Sequence, residues 1–407
     1  MSNANQRDVI IIGAGPAGLA VARRLTGTAL DVQLLEKTEC IGDVWANHYD
    51  GLRLNTVARL SGLADYAFPA TAGRWPGKQA VVQQLQLLAK QAQATIETNQ
   101  PVRTITYDAK RSLWTVRTNS KEYIAPKVVL ATGMNQQPIL PSWVDKMKAH
   151  CRVLHSLDYR SPNRFEGQNV LVVGGGNSGA EIACRVAEKA NRVWLSLRAA
   201  PLVLPKQLAG IGFTYMGLAL RYLPAVLRAN ILRAIQRFSL GDHSAYGLPL
   251  PSLSYLCHQG KDRAPTFYPD FLNNVKKGKV SIHGEVNAVV KGQLHIQRTI
   301  NGQALKVLAP DSIICATGFK PEPKVKVMLN GTNVVNDVVQ AACRGQLNPV
   351  PGVYILGFVS PISGQFREID KQSKKIAARI KACFVPQGQA PHRVTTKARN
   401  KPKQLMG

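Results

Sequence analysis

Uninterrupted hydrophobic runs that end at glycine recur along this 407-residue chain. Val9–Ile12 and 169–173 each lead into a glycine-rich turn and a helical pattern, whereas 128–130 and 312–314 each lead into Ala-Thr-Gly. Apolar runs without polar alternation are typical of parallel strands that are buried on both faces. The pattern therefore predicts an α/β fold with two parallel sheets, each begun by a strand, a glycine turn and a helix.

The order of these elements predicts that the second unit is inserted into the first. The second unit opens near residue 168, and a last strand at 353–356 and a helix at 369–380 follow it and are needed to complete the first sheet. The expected domains are 1–160 together with 320–385, and 161–319 with a helical insertion at about 201–265. Residues 386–407 are basic and rich in polar residues, which predicts a disordered tail.

The first glycine turn matches a dinucleotide-binding fingerprint. Gly13, Gly15 and Gly18 form G-x-G-x-x-G directly after a strand, which allows a tight turn, a close approach to a pyrophosphate and close packing of helix on strand. Glu36 ends the next strand, 23 residues after Gly13, where a carboxylate accepts both ribose hydroxyls of an adenosine. The cofactor-binding residues expected in this Rossmann-like unit are Gly13, Gly15, Pro16, Ala17, Gly18, Glu36, Lys37, Ala131, Thr132, Gly133 and Gly357.

The second glycine turn has the same glycine spacing, but a residue of opposite charge follows the next strand. Arg198 lies 24 residues after Gly174, at the position that corresponds to Glu36. A carboxylate there would repel a 2′-phosphate, whereas a guanidinium binds it in a forked geometry. One unit that ends in an acid and one that ends in an arginine indicate bound FAD and NADPH that delivers hydride to it. The residues expected to bind NADPH are Gly174, Gly176, Asn177, Ser178, Gly179, Ser196, Arg198, Ala316, Thr317 and Gly318, with Lys206 as a weaker candidate.

The charge is strongly basic, with 52 Lys and Arg against 24 Asp and Glu and a net charge of +28. No acid occurs from Lys189 to Leu240, and within this stretch Leu227, Ile231, Ile235 and Phe238 are spaced to line one helical face. Such a cationic amphipathic helix fits either a lid over a substrate channel or peripheral contact with an acidic membrane surface. No RNP-type, zinc-finger or basic-zipper pattern is present, so specific nucleic-acid recognition is not expected.

The cysteines and the amino terminus indicate a cytoplasmic protein. The seven cysteines are scattered and no two form Cys-x-x-Cys, which argues against a disulfide framework and against a structural metal site. The polar residues 1–8 lack the apolar core of a signal peptide. No apolar run reaches the ~18–20 residues that span a bilayer.

With these motifs in order, the sequence resembles the class B flavin monooxygenases, of the flavin-containing and plant YUCCA-type branch. The resemblance covers nearly the whole chain up to about residue 385. Besides the two fingerprints and Glu36, it rests on the stretches IGDVWANHYDGLRLNT (41–56), ATG (131–133), HSLDY (155–159), SLRAAPLVLP (196–205), LGDHSAYGLPLP (240–251), ATGF (316–319) and GVYILGF (352–358).

The resemblance implies a specific chemistry. FAD takes hydride from NADPH and then reacts with O₂ to give a C4a-(hydro)peroxyflavin, which bound NADP⁺ shields until oxygen passes to a nitrogen, a sulfur or a carbonyl carbon. Asn55 is the catalytic residue that the resemblance implies, since its amide would donate to the peroxide and accept from the nicotinamide amide. Trp45 and Thr56 are the implied neighbours of the flavin.

The chain departs from the family pattern near the predicted hinge. The family fingerprint F-x-G-x-x-x-H-x-x-x-Y ends here at His155 and Tyr159, but Ala149 and Cys151 replace its Phe and Gly. His155 is therefore expected to be a hinge residue rather than a chemical one. Tyr159 is followed by Arg160 instead of the Trp-Pro of Baeyer–Villiger enzymes, which disfavours ketone oxygenation.

Several functions stay open at this point. Oxygenation of an amine or a thioether competes with oxidative decarboxylation of an aromatic 2-oxo acid such as indole-3-pyruvate. The alternative is an NAD(P)H-dependent flavoprotein reductase without oxygenase activity, although a disulfide reductase would need a cysteine pair that the chain lacks. A passive basic scaffold would need neither Glu36 nor Arg198. The partners expected are O₂ and a small molecule, with the chain as a monomer or a homodimer.

Overall fold

The computed structural model describes residues 5–220, 222–253, 256, 265–267, 270–300 and 302–384. The tail predicted at 386–407 lies outside the described residues, as does part of the insertion. Among the described residues, no helix is both long enough and apolar enough to cross a bilayer.

The described strands are short. In chain order they are β1 (Val9–Ile12), β2 (Val32–Leu35), β3 (Thr95–Glu97), β4 (Thr104–Asp108), β5 (Leu113–Arg117), β6 (Glu122–Ala125), β7 (Lys127–Leu130), β8 (Gln137–Pro138), β9 (Arg152–His155), β10 (Asn169–Val173), β11 (Arg192–Ser196), β12 (Gln207–Leu208), β13 (Ile211–Gly212), β14 (Val280–His283), β15 (Val286–Val290), β16 (Gln293–Gln297), β17 (Leu305–Leu308), β18 (Ser312–Cys315), β19 (Phe319–Lys320), β20 (Lys326–Leu329), β21 (Thr332–Asn333) and β22 (Val353–Ile355).

The described helices follow the glycine turns and fill the connections. They are α1 (Pro16–Leu25), α2 (Asp43–Ala46), α3 (Lys78–Gln91), α4 (Val144–Met147), α5 (Asn177–Val186), α6 (Phe213–Leu220), α7 (Ala225–Leu240), α8 (Asp270–Lys276), α9 (Val335–Cys343) and α10 (Gln365–Phe384). Proline begins α1, where its fixed φ suits the first helical position and its missing N–H is not needed.

The first sheet is parallel, in the order β22-β7-β1-β2-β3. Because β1 lies between β2 and β7, the carboxyl ends of these strands meet beside the turn at Gly13. Helices α1, α3 and α10 cover one face. A mixed sheet in the order β21-β20-β4-β5-β6 covers the other face, around the buried Trp114. The all-buried strands β1 and β2 are thus explained by layers on both faces.

The second domain repeats this plan. Its parallel sheet runs β14-β11-β10-β18-β9, and β10 lies between β11 and β18. Helices α5 and α8 pack on one face, and the antiparallel strands β15, β16 and β17 pack on the other. An α/β fold with two Rossmann-like domains is therefore confirmed.

The strand pairings show how the chain passes between the two parallel sheets. Strand β22 pairs with β7, so the chain returns to the first sheet after completing the second. Strand β9 pairs with β18, so the second sheet already includes Arg152–His155, which precede the expected start at residue 161. The short strands β8 and β19 pair where the chain leaves and re-enters the first domain. Strand β9 has only four residues, which is too short to show a hydrophobic pattern of its own in the sequence.

The insertion packs differently from its predicted amphipathic face. In α7 the buried residues are Ala229, Leu232 and Gln236, whereas Leu227 and Phe238 of the predicted apolar face are exposed. The Gln236 side chain accepts a hydrogen bond from the Val203 backbone N–H at 3.1 Å. Leu232 belongs to an apolar cluster of the insertion, and Ile231 and Ile235 of the predicted face are partly buried against it, so the buried face is rotated from the predicted one and also includes Gln236.

Candidate functional site

The first glycine turn forms a cradle at the end of β1. Gly13 has a φ of +104°, and a Cβ there would lie 2.6 Å from the Ala131 carbonyl oxygen. A Cβ on Gly18 would lie 1.9 Å from the Gly13 carbonyl oxygen, so both positions require glycine to bring strand, helix and neighbouring strand together. A Cβ on Gly15, in contrast, would meet no described heavy atom within 4 Å. The space above Gly15, at the amino end of α1, fits a pyrophosphate.

Glu36 closes one side of this cradle. Its side chain is buried, and its Oε2 atom accepts a hydrogen bond from the Ala14 N–H at 2.7 Å. Its Oε1 atom accepts from the N–H and hydroxyl of Thr38, each at 3.0 Å. These bonds hold the carboxyl group against the glycine turn while leaving lone pairs for ribose hydroxyls. The Lys37 side chain is exposed to solvent.

Other residues predicted for the first cofactor surround the same turn. The Thr132 hydroxyl is buried without a hydrogen-bond partner among the described residues, as expected for a group that bonds a ligand. A Cβ on Gly357 would lie 3.5 Å from the Ala17 side chain, so Gly357 lies beside the start of α1. Gly133 follows Thr132 with a φ of +79°. The residues present therefore fit an adenine dinucleotide.

The second glycine turn has the same geometry. Gly174 has a φ of +114°, and its Cβ would lie 2.4 Å from the Ala316 carbonyl oxygen. A Cβ on Gly179 would lie 1.9 Å from the Gly174 carbonyl oxygen, and one on Gly176 would meet no described heavy atom within 4 Å. Each contact reproduces one in the first cradle. The two units are therefore two nucleotide sites of one design.

A cleft of about 1240 Å³ opens over this second cradle. Its lining includes Gly174, Gly176, Arg198 and Thr317. The Arg198 side chain is exposed at the end of β11, and no ion pair or hydrogen bond engages its guanidinium in the described part of the chain. An unpaired guanidinium at this position is free to bind a phosphate. Ser196 also lines the cleft, but its hydroxyl is buried and donates to the Gly284 carbonyl at 2.8 Å.

Three residues predicted to bind the second cofactor have structural bonds of their own. The Asn177 amide donates to the Pro265 carbonyl at 2.9 Å and accepts from the Phe267 N–H at 2.8 Å, so it fastens the insertion to the amino end of α5. The Thr317 hydroxyl donates to the Ile139 carbonyl. Gly318 accepts from His155. Their backbones remain on the cleft, and Ser178 is exposed beside them.

His155 is placed at the hinge, as predicted. Its Nε2 atom lies 3.1 Å from the Gly318 carbonyl oxygen, and its Nδ1 atom accepts from the Leu157 N–H at 3.1 Å. Burial lowers the pKa of His155, so the ring is neutral at pH 7 and Nε2 carries the proton. The Nε2 bond therefore joins β9 to the loop after β18, and the Nδ1 bond holds the turn that follows β9.

Asn55 and Thr56 lie where the first domain meets the insertion. A Cβ on Gly364, just before α10, would lie 2.7 Å from the Thr56 Cγ2 atom, and one on Gly212, in the insertion, would lie 2.6 Å from the Val57 side chain. The half-buried Asn55 amide has no hydrogen-bond partner among the described residues. Trp45 packs edge-on against Phe366 of α10, with ring centroids 5.6 Å apart. Trp45 is thus half-buried beside the same loop.

An interdomain clasp, formed by Tyr49, Gly51, Glu181 and Arg185, joins the first domain to α5, and no sequence motif predicts it. The Tyr49 hydroxyl donates to Glu181 at 2.9 Å, and the Arg185 guanidinium bonds both Glu181 and the Gly51 carbonyl. Burial and the neighbouring Glu181 carboxylate raise the pKa of Tyr49, which stays protonated and donating. The clasp fixes the helix of the second cradle against the loop that leads to Asn55.

Lys206 does not lie over the second cradle. The described residues that line the cleft do not include it. Burial lowers the pKa of Lys206, and the charge of Arg53 in the first domain lowers it further. Lys206 therefore lies at the domain junction, which leaves Arg198 as the better placed cation for a 2′-phosphate.

Five of the cysteines that the structure describes are free thiols, namely Cys40, Cys151, Cys184, Cys315 and Cys383. No redox-active pair therefore accompanies the first cradle in the described part of the chain. No group of three His, Cys, Asp or Glu side chains there could hold a metal ion. The arrangement is instead suited to electron transfer between two bound dinucleotides.

Comparisons with known proteins agree with this geometry. A family model described as pyridine nucleotide-disulphide oxidoreductase matches residues 10–206. The fold and the paired cradles thus define a two-dinucleotide oxidoreductase. The probable indole-3-pyruvate monooxygenase YUCCA3 of Arabidopsis thaliana is 30% identical over 92% of this chain and 91% of its own length. The chain belongs to the YUCCA-type flavin monooxygenase family.

Two solved structures share the fold. A flavin-containing monooxygenase from Stenotrophomonas maltophilia has a TM-score of 0.65 at 18% identity, covering 93% of this chain and 99% of that one. An oxidised steroid monooxygenase bound to NADP has a TM-score of 0.63 at 17% identity, covering 93% and 86%. The family resemblance predicted from the sequence is confirmed, and a reductase without oxygenase activity is not favoured.

Proposed function

We propose that this chain binds FAD in the first cradle and NADPH in the second, and uses them with O₂ to oxygenate a small molecule. The observation that carries the proposal is the contrast between two matching cradles. A buried carboxylate, Glu36, closes one, and an exposed guanidinium, Arg198, closes the other. The names of the relatives support the same activity.

The protein's role is to bind and orient the two cofactors and to shield the reacting atoms from water. When bound, FAD would accept hydride from NADPH and activate O₂. The N–H groups at the amino ends of α1 and α5 would hold the two pyrophosphates, and Glu36 and Arg198 would select the two adenosine ends. The insertion packs on Val57 and, through Gly217, on Ile362, so it covers the loop that carries Asn55 and keeps water away from it.

Asn55 is the residue proposed to act at the reacting atoms. Its amide is free of protein partners among the described residues and lies beside Thr56, whose hydroxyl is already paired with Ser61 at 2.7 Å. An amide supplies both a donor and an acceptor, so it can bond the activated oxygen and the nicotinamide amide together. Asn55 would thereby retain oxygen until the substrate arrives.

Replacing Asn55 with alanine is expected to uncouple the enzyme. The loss of one uncharged hydrogen bond, about 0.5–1.5 kcal/mol, should lower the ratio of product to H₂O₂ formed from NADPH roughly two- to tenfold. Asn47→Ala, an exposed asparagine in the same segment, is the matched control. Unchanged coupling in Asn55→Ala would remove Asn55 from this role.

The substrate proposed is an aromatic 2-oxo acid. The relatives named as indole-3-pyruvate monooxygenases support this class. In the balanced reaction, R-CO-COOH, O₂, NADPH and H⁺ give R-COOH, CO₂, NADP⁺ and H₂O. One oxygen atom from O₂ enters the new carboxylate, and the other leaves as water. A screen that includes amines and thioethers tests this choice, since oxygenation of those alone would move the proposal to N- or S-oxygenation.

The exposed face of α7 supports a further proposal, that the chain touches an acidic membrane surface. Phe238 is 88% exposed, Val226 59% and Leu227 48%, and Tyr222 just before the helix is 77% exposed. No acid lies between Lys189 and Leu240, so this apolar face lies in a purely cationic segment. Exposed aromatic and aliphatic side chains with surrounding positive charge are typical of helices that lie in a lipid headgroup layer.

Sedimentation with lipid vesicles tests the membrane proposal. The wild-type chain should sediment with phosphatidylserine-containing vesicles more than with pure phosphatidylcholine, and the double change Leu227→Asp and Phe238→Asp should abolish the difference. Val307→Asp is a matched control, because Val307 is 48% exposed in β17 of the second domain. Equal sedimentation of wild type and double variant would refute the contact.

We also propose a reducing, cytoplasmic location, which is supported by the free thiols of Cys40, Cys151, Cys184, Cys315 and Cys383.

A further inference from the structure

A second cleft, of about 1150 Å³, lies between the insertion and helices α9 and α10. It is separate from the cradle cleft but shares two lining residues with it, Arg228 of α7 and Ile362 of the loop before α10. The two clefts therefore meet at these residues. The function proposed above assigns no ligand to the second cleft.

The junction of the clefts lies close to Asn55. Ile362 and Ser363 line the second cleft, and the next residue, Gly364, approaches the side chain of Thr56. Gln372 also lines the cleft, and its side chain accepts a hydrogen bond from the Gly357 N–H at 3.0 Å. Gly357 lies beside the first cradle. The inner end of the second cleft therefore borders the site where the substrate must react.

The chemistry of the second cleft fits an anion with an apolar body. Its cations are Arg228, Arg344, Lys371 and Lys375, against the two acids Glu322 and Glu368. Glu368 accepts a hydrogen bond from Gln372 at 3.3 Å and lies 3.9 Å from the Lys371 ammonium, so part of its charge is balanced. The apolar lining is Val339, Leu347, Val359, Pro361 and Ile362.

Arg228 is the cation at the junction. Its side chain is half-buried, and no ion pair or hydrogen bond of its guanidinium is found among the described residues. A planar guanidinium binds a carboxylate through two parallel hydrogen bonds, which fixes orientation as well as charge. An arginine at the meeting point of the two clefts is therefore suited to hold an acid group while the rest of the molecule extends toward Asn55.

We infer that the second cleft admits the substrate and that Arg228 binds its carboxylate and determines specificity for 2-oxo acids. The specificity for 2-oxo acids rests on the proposed function, whereas the binding of a carboxylate by Arg228 does not. Arg228 contacts the acid group, so the site should also bind an unreactive aryl carboxylate. The affinity of the site for this carboxylate should not depend on the affinity of the enzyme for NADPH.

The test measures binding of phenylacetate to the FAD-loaded enzyme by calorimetry. Arg228→Gln should raise the Kd for phenylacetate at least about tenfold, and Arg228→Lys should recover part of the affinity, because a charged hydrogen bond is lost in the first and kept in the second. The Kd for the neutral analogue phenylacetamide should stay the same in both. Arg237→Gln, on an exposed turn of α7 that lines neither cleft, is the matched control.

A second variant tests the cleft without touching Arg228. Gln340 is exposed and lines the second cleft, so Gln340→Trp should obstruct it and weaken phenylacetate binding while FAD content stays at the wild-type level. An unchanged Kd in both Arg228→Gln and Gln340→Trp would overturn the inference. A rise in the NADPH KM of Arg228→Gln without a change in phenylacetate binding would assign Arg228 to the nucleotide instead.

The failure of the proposed function gives a different result. If the wild-type enzyme oxygenates no 2-oxo acid, the proposed reaction fails. The binding measurements on phenylacetate and phenylacetamide still support or refute the carboxylate site by themselves.

Discussion

Replacing Gly15 with valine should give a folded protein without FAD. A Cβ on Gly15 meets no described heavy atom within 4 Å, so the side chain adds no clash within the protein. It would occupy the space from which the N–H groups of α1 face the pyrophosphate. We expect FAD affinity to fall by roughly a hundredfold or more, about 3 kcal/mol, so that the protein is isolated colourless. Absorbance near the flavin bands and thermal unfolding measure the two effects.

The matched change in the second cradle should leave FAD bound but remove the binding of NADPH. Gly176→Val replaces a glycine in the same environment, so the protein should stay yellow but lose reduction by NADPH. Together the two variants assign one cofactor to each cradle. A yellow Gly15→Val protein, or a colourless Gly176→Val protein, would contradict the assignment.

Replacing Arg198 with alanine should raise the KM for NADPH far more than that for NADH. The exposed guanidinium has no partner among the described side chains, so its removal costs the fold little. The loss of a charge-assisted, forked contact with the 2′-phosphate is worth about 1.5–3 kcal/mol. This corresponds to a rise in the NADPH KM of about 10- to 150-fold at an unchanged NADH KM. Steady-state rates of NADPH and of NADH consumption in air, each measured over a range of cofactor concentrations, give both values.

Lys206 supplies the control for Arg198. It lies at the domain junction rather than along the cradle cleft, so Lys206→Ala should leave the preference for NADPH over NADH unchanged. If Arg198→Ala weakened NADPH and NADH equally, the guanidinium would have a general role in the cleft rather than a role in reading the 2′-phosphate.

The two cradles could be predicted from sequence because each depends on local constraints. Gly13 and Gly174 must adopt a positive φ directly after a buried strand, and that requirement leaves glycine at fixed spacings. The approach of Ala131 to Gly13, and of Ala316 to Gly174, follows from the order of parallel strands in each sheet. The residues that follow the second strands then differ in charge and in exposure, since Glu36 is buried and Arg198 is exposed.

Features that join distant segments left no such pattern. The Tyr49–Glu181 hydrogen bond links residues 132 positions apart, and each side chain alone would pass for an ordinary surface group. Asn177 fits the nucleotide fingerprint, yet its side chain fastens residues 265 and 267. The buried face of α7 depends on Gln236, whose amide oxygen pairs with a backbone N–H of the second domain. Hydrophobic periodicity has no means of detecting contacts made by polar side chains.

The central claim is that two dinucleotides bound in these cradles are used to place an atom of O₂ in an organic product. Turnover of an aromatic 2-oxo acid with NADPH under ¹⁸O₂, followed by mass spectrometry of the product and a count of NADPH and H₂O₂, tests it most directly. We expect one ¹⁸O atom in the new carboxylate, about one product per NADPH and little H₂O₂. The claim would be contradicted if no ¹⁸O entered any organic product and the NADPH consumed were matched by an equal amount of H₂O₂. This result would have to hold for 2-oxo acids, amines and thioethers.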